Sequence, residues 1–328
     1  MATVKQMHNE QYGDFFEVKN KKGVTLLLSP FGARGLELNL PLVEGSRNIL
    51  VGFDTIEAHK NAYYNASIGP VAGRIAKAVF ELNGKTYQTE ANQKGNTLHG
   101  GFLGFDKRNW SAETFEEGEK AGVIFTLESK DGDAGFPGNL KVEAIYTLTD
   151  NDEYKFGFKA TTDQATLFNP TNHGYYNLTG SPENSIDEHI LEVHASQVAE
   201  TRDDVTTTGR ILPVAGTKFD FFSPKAIGDT MLDDPFVLDK DQDCALVLTS
   251  PDKKVSLALT TTEPAIVIYT TGKAEVGDVM NGGKMAFHGA VAIEPQKIPG
   301  TESYPEFGSI TLTPEKPYFA ESSFKLSY

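Results

Sequence analysis

Apolar residues recur at every second position, or in short β-branched runs, along most of the chain. A period of two is typical of a β-strand with one buried face, whereas an amphipathic helix repeats every three to four residues. The clearest segments of this kind are 24–28, 36–40, 123–127, 140–148, 154–158, 255–259, 266–269 and 310–312. The pattern therefore predicts a protein that is built mainly from strands.

Turn-forming residues separate these segments, for example Asn83-Gly84, Asp131-Gly132 and Ser250-Pro251-Asp252. Such residues favour tight connections between antiparallel neighbours, because several of them tolerate a positive φ. Only residues 54–61 and short pieces near 223–229 have a helical pattern, which is too little for an α/β fold. We therefore predict an all-β protein with antiparallel sheets packed as one large sandwich, a single domain over residues 1–328.

The loops are informative as well, because two long segments without a strand pattern, 60–76 and 91–108, are rich in Asn, Gly and aromatic residues. Ordered long loops on a β scaffold often carry binding groups. We therefore expect part of the functional site to lie on these two segments.

Composition narrows the class of partner. The chain has 30 Lys and Arg residues against 45 Asp and Glu residues, a net charge of −15. This charge disfavours nucleic acid and anionic membrane surfaces and suits a neutral or cationic ligand. No segment has the roughly 20 apolar residues of a membrane span, the first twenty residues lack a signal-like apolar run, and the single Cys244 excludes an intramolecular disulfide. We expect a cytoplasmic enzyme whose partner is a small molecule.

Three polar positions suggest acid–base chemistry: His99, which is followed by two glycines, His173 in a segment of amide and aromatic residues, and Glu294 after the apolar run 290–293. Histidine titrates near pH 7, and a partly desolvated glutamate has a raised pKa that suits a general base. Each residue also has a structural interpretation, as a loop histidine, a histidine under a turn and an exposed residue at a strand end. Amide and aromatic groups together are typical of sugar sites.

Two further charged positions are candidate binding groups. Arg74 stands among small and apolar residues, and its guanidinium can hold two oxygen atoms at once, although a surface ion pair is an equally good interpretation. Asp233 and Asp234 form an acidic pair in which one member can bind hydroxyl groups while the other caps a turn. The local sequence does not decide which of the two aspartates has the binding role.

Two histidines and a carboxylate can also bind zinc. His99, His173 and Glu294 are far apart along the chain, and no local pair such as His-x-x-x-His is present. The sequence likewise lacks a phosphate-binding loop, a Gly-x-Ser-x-Gly motif and a dinucleotide fingerprint. We therefore predict that the site holds no metal.

Taken in order, the segments around these residues resemble the aldose 1-epimerases, or galactose mutarotases. The resemblance rests on Gly73-Arg74-Ile75, the Asn-x-Leu-His-Gly-Gly element that ends at His99-Gly100-Gly101, the Asn-x-Thr-Asn-His element that ends at His173, residues 208–211, 217–221, 232–238 and 262–264, and Glu294-x-Gln296. It implies a galactose mutarotase-like supersandwich with an open sugar cleft, which interconverts α and β anomers without a cofactor.

The resemblance also implies a role for each candidate residue. Glu294 corresponds to the base that removes the proton of the anomeric hydroxyl, and His173 to the acid that protonates the ring oxygen. His99, Arg74 and Asp233 correspond to groups that hold the sugar. The chain departs from many members at Gly73, where they have Asn, and at Asp234, where they have His, so sugar preference is left open between galactose and glucose.

Two alternatives are compatible with the same residues. The substrate of a related enzyme is a hexose 6-phosphate, whose phosphate would meet Arg74 or Arg108. A non-catalytic carbohydrate-binding module would keep the fold without turnover. We make no prediction about the oligomeric state.

Overall fold

The computed structural model describes residues 1–240 and 242–328, and strands are by far the most frequent regular structure in these residues. The strands are β1 (Thr3–Asn9), β2 (Gly13–Lys19), β3 (Thr25–Ser29), β4 (Arg34–Leu42), β5 (Gly45–Asn48), β6 (Ser67–Ile68), β7 (Arg74–Ile75), β8 (Val79–Leu82), β9 (Lys85–Gln88), β10 (Thr97–Leu98), β11 (Ser111–Glu117), β12 (Lys120–Ser129), β13 (Leu140–Thr149), β14 (Glu153–Thr162), β15 (Thr166–Leu167), β16 (Thr171–Asn172), β17 (Gly174–Tyr176), β18 (Ile190–Val193), β19 (Gln197–Thr201), β20 (Thr207–Pro213), β21 (Lys225–Ala226), β22 (Asp233–Val237), β23 (Leu246–Thr249), β24 (Ser256–Thr261), β25 (Ala265–Thr270), β26 (Val279–Met280), β27 (Gly283–Lys284), β28 (Val291–Gln296), β29 (Thr311–Leu312) and β30 (Tyr318–Ser327). The helical elements are α1 (Ile56–His59) and short 3₁₀ turns at Ala76–Ala78, Phe105–Lys107, Asp133–Gly135 and Pro305–Phe307.

The strand predictions are confirmed, since each of the eight alternating segments overlaps a strand. The short helix α1 lies inside the predicted segment 54–61, and the Thr55 side chain accepts a hydrogen bond from the backbone of Ala58 at its first turn. The predicted helical pieces near 223–229 are wrong. Lys225 and Ala226 instead pair with β18, because a sheet edge supplies the backbone hydrogen bonds that a short helix would otherwise form internally.

Two large antiparallel sheets organise the molecule. One has nine strands in the order β11-β12-β13-β14-β30-β24-β23-β18-β21, and the other has six in the order β17-β28-β25-β22-β19-β20. Strands β1 to β5 form a further sheet in sequence order. The turn at Asn83-Gly84 joins β8 and β9 with a positive φ at both residues, as predicted for a tight hairpin.

The six-stranded sheet has two different faces. One face contributes buried apolar side chains to the main core, among them Phe236, Ile266, Ile268 and Ile293. Alternate positions on the same strands point away from this core and line a cavity. No helix in the described residues has the length and apolarity that crossing a bilayer requires.

Candidate active site

The strand register places several polar side chains on the cavity face of the six-stranded sheet. Glu294 of β28 lies opposite Val267 of β25, which lies opposite Pro235 of β22. In the next row along the sheet, Asp233 lies opposite Tyr269. Directly paired residues share a face of a sheet, so these side chains lie next to one another.

Glu294 is buried inside its strand. The prediction placed it at the end of a strand, but β28 continues through Gln296, whose Nε2 lies 3.5 Å from Glu294 Oε2. Burial raises the pKa of Glu294 well above its usual value, and nearby Asp233 raises it further. The interpretation of Glu294 as an exposed strand-end residue is therefore wrong.

His173 precedes β17, and the backbone around it is held on both sides. The Asn65 N–H donates to the His173 carbonyl at 2.8 Å, and the His173 N–H donates to the carbonyl of Ala66 at 3.0 Å. The Asn65 side chain also accepts a hydrogen bond from the Tyr175 N–H. These contacts bring His173 Nε2 to 3.3 Å from Glu294 Oε1. Burial lowers the pKa of His173 to about 3.

His99 follows β10 with a φ of 53°, and its ring has a defined hydrogen position. The Gly73 N–H donates to His99 Nδ1 at 3.2 Å, and the His99 N–H donates to the Gly73 carbonyl at 3.0 Å. Burial lowers the pKa of His99 well below its usual value, and nearby His173 lowers it further. A neutral ring that accepts at Nδ1 carries its hydrogen on Nε2, so His99 can donate a hydrogen bond from Nε2.

Gly73 itself has a φ of 72°, which favours glycine, and a Cβ at this position would lie 2.9 Å from the Pro299 side chain. These two constraints account for the glycine at this position.

The side chains of Arg74 and Asp233 form an ion pair in the lining of the cavity. Arg74 donates from Nε to Gln93 Oε1 at 2.7 Å, and its guanidinium lies 3.7 Å from Asp233 Oδ2. Asp234, the alternative member of the pair, belongs to the opposite face of β22 and accepts a hydrogen bond from the Asp233 N–H. The structure therefore places Asp233, not Asp234, in the cavity.

The five predicted residues line one cavity of about 240 Å³. The other lining groups were not singled out as site residues from the sequence. Tyr269 and Gln296 lie two residues from Val267 and Glu294 on their strands, so the period of two is a signal for them. Tyr63 belongs to the aromatic-rich loop segment 60–76, which the sequence predicts to carry part of the site, whereas Glu275 stands in a loop that gives no such signal. The complete lining is Tyr63, Gly73, Arg74, Gln93, Leu98, His99, His173, Tyr175, Thr201, Val205, Asp233, Pro235, Val267, Tyr269, Glu275, Glu294, Gln296 and Pro299.

The same convergence bears on metal binding. Ligand atoms of His99, His173 and Glu294 lie within 4.8 Å of one another, so distance along the chain was not a valid argument against a metal site. The hydrogen bond from the Gly73 N–H to His99 Nδ1 is a better argument, because it leaves the hydrogen on Nε2, where a metal ligand needs a lone pair. The absence of a metal stays a prediction.

The site can move protons. A carboxyl group and an imidazole lie in direct contact, and a neutral histidine, a guanidinium and a second carboxylate surround them in an open cleft. Such a set can remove one proton from a small polar molecule and add another. The fold and the site together define the class as an acid–base enzyme with antiparallel β architecture.

The chain belongs to the aldose 1-epimerase family, because the family model described as aldose 1-epimerase matches residues 14–325. Aldose 1-epimerase from Haemophilus influenzae is 34% identical over 304 residues, which cover 88% of each chain. Human galactose mutarotase is 34% identical over 294 residues, which cover 85% of this chain and 84% of its own. The solved GalM/aldose epimerase homologue from C. elegans superimposes with a TM-score of 0.88 at 29% identity and covers 100% of this chain and 99% of its own. The predicted fold, family and isomerase class are thereby confirmed.

Proposed function

We propose that the chain interconverts the α and β anomers of free hexoses such as galactose or glucose, with Glu294 as base and His173 as acid. The observation that carries this proposal is the 3.3 Å contact between Glu294 Oε1 and His173 Nε2 at the wall of an open cavity. The hydroxyl oxygen O1 and the ring oxygen O5 are bonded to the same carbon of an aldose. Two proton-transfer groups this close to each other can therefore serve both oxygens.

The reaction needs one proton in each direction. The Glu294 carboxylate removes the proton from O1, His173 Nε2–H donates to O5, and the C1–O5 bond breaks to give the open-chain aldehyde. After rotation about C1–C2, O5 attacks the other face of the carbonyl, His173 takes back the proton of O5, and Glu294 returns a proton to O1. Paired transfer avoids both a free alkoxide and an oxocarbenium ion.

Three neighbours are suited to hold the sugar. His99 Nε2–H is a donor, the Arg74 guanidinium is a fixed charged donor, and the Asp233 carboxylate is an acceptor, all at the cavity wall. Sugar hydroxyls both donate and accept, so this mixture matches a ring with several hydroxyl groups. Val267 and Pro235 add an apolar surface for C–H groups.

Polarimetry of freshly dissolved α-galactose and α-glucose tests the proposal. We expect the protein to accelerate equilibration far above the buffer rate for at least one of the two sugars. Sugar binding in calorimetry without acceleration would instead support a non-catalytic binding module and contradict the proposal.

The hexose 6-phosphate alternative lacks support in the cavity. Arg108 donates to Asp133, Ser129 and the Glu128 carbonyl and is not part of the cavity lining. Arg74 already faces Asp233, and the carboxylate of Glu275 lies at the same wall. We expect glucose 6-phosphate to react more slowly than glucose, and the reverse preference would contradict the free-hexose proposal.

The remaining sequence predictions belong to this proposal. We propose that residues 1–328 act as one domain, which is supported by β30, the last strand, pairing between β14 and β24 in the nine-stranded sheet. A cytoplasmic location, the absence of nucleic-acid and membrane partners and independence of cofactors also stay proposals.

A further inference from the structure

The proposed acid has an unusual environment. Burial favours the neutral form of His173, yet an acid must carry its proton on Nε2 when the ring oxygen leaves. Catalytic imidazoles are commonly oriented by a carboxylate or carbonyl at the second ring nitrogen. His173 Nδ1 is buried and has no hydrogen-bond partner among the described residues. The backbone of His173 itself favours the charged form of the ring, but this effect is smaller than the effect of burial. The groups that lie against the faces of the ring are therefore a further means of holding it.

The two faces of the His173 ring are covered by tyrosines. The Tyr175 ring lies 4.8 Å from it, centroid to centroid, at an angle of 7°. The Tyr63 ring is also nearly parallel, at 6.1 Å and 13°. Tyr175 is in turn packed against Tyr64 at 4.1 Å, so its own position is supported from behind.

Other charged and titratable groups also surround the imidazole. Glu294 contacts Nε2, the His99 ring meets His173 edge-on at 5.2 Å, and Arg74 disfavours the imidazolium form by its charge. Lys107 lies 5.2 Å from the centre of the Tyr63 ring and is paired with Asp106. The Tyr63 ring is farther from His173 than the Tyr175 ring is, and it also contacts a lysine. Tyr175 is therefore the principal aromatic neighbour of His173.

We propose that Tyr175, assisted by Tyr63, is a positioning residue that keeps His173 Nε2 directed at the reacting oxygen and stabilises the imidazolium that acts as the acid. The face of an aromatic ring attracts a cation, and the attraction is strongest where water is excluded. A parallel ring also restricts rotation of the imidazole without using a hydrogen bond. The catalytic part of this inference rests on the proposed function, whereas the restriction of the ring does not.

Three variants distinguish this role of the Tyr175 ring from a purely structural contribution to the packing of the protein. Tyr175→Leu removes the aromatic face, and Tyr175→Phe keeps it. Tyr154→Leu is the matched control, because Tyr154 is also a buried tyrosine and its ring contacts are with Phe156 and Phe324, not with His173 or Tyr175.

We expect Tyr175→Leu to lower kcat for anomer exchange about tenfold with KM within about threefold of the parent value. We expect Tyr175→Phe and Tyr154→Leu to keep kcat within about threefold, although Tyr154→Leu lowers Tm. The inference is overturned if Tyr175→Leu keeps kcat, if Tyr175→Phe is as slow as Tyr175→Leu, if only KM changes, or if Tyr154→Leu is equally slow.

Nuclear magnetic resonance of protein with ¹⁵N-labelled histidine gives a readout that does not depend on turnover. The signals of His173 are assigned by their loss in His173→Asn. We expect one sharp set in the parent and in Tyr175→Phe, and broadened or multiple signals in Tyr175→Leu. Identical spectra in all three would overturn the inference even in an active enzyme. A parent without mutarotase activity would overturn the proposed function while the spectra still decide how the ring is held.

Discussion

Along β22, β25 and β28, successive side chains point alternately into the main core and into the cavity, so two very different regions share the same strands. The core face carries Phe236, Ile266, Ile268 and Ile293, all fully buried and apolar. The cavity face carries Asp233, Val267, Tyr269 and Glu294. The core face gains free energy from burial, whereas the cavity face places carboxyl groups where water is scarce.

This difference is visible in the titrating groups. Burial raises the pKa of Asp233 and Glu294 and lowers the pKa of His99 and His173. Each shift means that the folded protein disfavours the charged form of the group. Perturbed groups gathered in a cleft are typical of catalytic sites, and here they coincide with the face that adds least to the core. Asp234 is an exception, because burial raises its pKa on the other face of β22 as well.

The largest expected effect is on the proposed acid and base. We expect Glu294→Gln and His173→Asn each to lower kcat by at least ~100-fold, because each removes one of the two proton transfers. Polarimetry at pH 7 measures the loss, and circular dichroism serves as the folding control. Unchanged rates in both variants would show that the cavity face does not carry the chemistry.

A smaller effect should distinguish the two neighbouring aspartates. Asp233→Asn removes a charge that faces the cavity, and we expect KM to rise about tenfold, comparable to the loss of one charge-assisted hydrogen bond. Asp234→Asn changes the adjacent side chain, which lies outside the cavity lining, and KM should stay within about twofold. Steady-state kinetics of the pair give the comparison. Equal effects would mean that side-chain direction on β22 does not separate the two regions.

Removal of one methyl group from the core face should act on stability alone. We expect Ile268→Val to lower the free energy of unfolding by about 1 kcal/mol and to leave kcat within about twofold. Urea unfolding measures the first quantity. Val267→Ala is the corresponding variant on the cavity face. We expect its effect on KM, expressed as a free energy, to exceed its effect on the free energy of unfolding. A reversed pattern would contradict the division between the faces.

The smallest expected effect is a dependence of stability on pH. Because burial raises the pKa of Glu294 above its ordinary value of 4.5, the folded state binds its proton more tightly than the unfolded chain does. The stability from this protonated group is fully present below pH ~4.5 and is lost as pH rises toward the folded pKa. Glu294→Gln has no proton to lose, so its Tm should exceed that of the parent by about 2 °C near neutral pH and by less near pH 4. Calorimetric scans across this range test the sign, and a difference that grows toward acid pH would contradict it.

Much of the fold followed from local pattern. Alternation over 140–148 and 154–158 predicted the long strands β13 and β14, because a strand with one buried face repeats every two residues whatever its partners are. The pattern failed near 223–229, where pairing with β18 decides the conformation. It also placed Glu294 at the end of a strand, since apolar runs show where burial continues and say nothing about a polar residue inside β28.

The candidate site likewise has features that the sequence predicted and features that only the tertiary structure decided. By itself, the sequence determined which residue types are available, since His99, His173, Glu294, Arg74 and the pair Asp233-Asp234 could all be named from their segments. Only the tertiary structure decided that Asp233 faces the cavity and that Tyr175 covers His173. It also decided that His173 and Glu294 touch. Strand register and long-range pairing set these distances, and both depend on the free energy of the whole packed sheet, which no local segment contains.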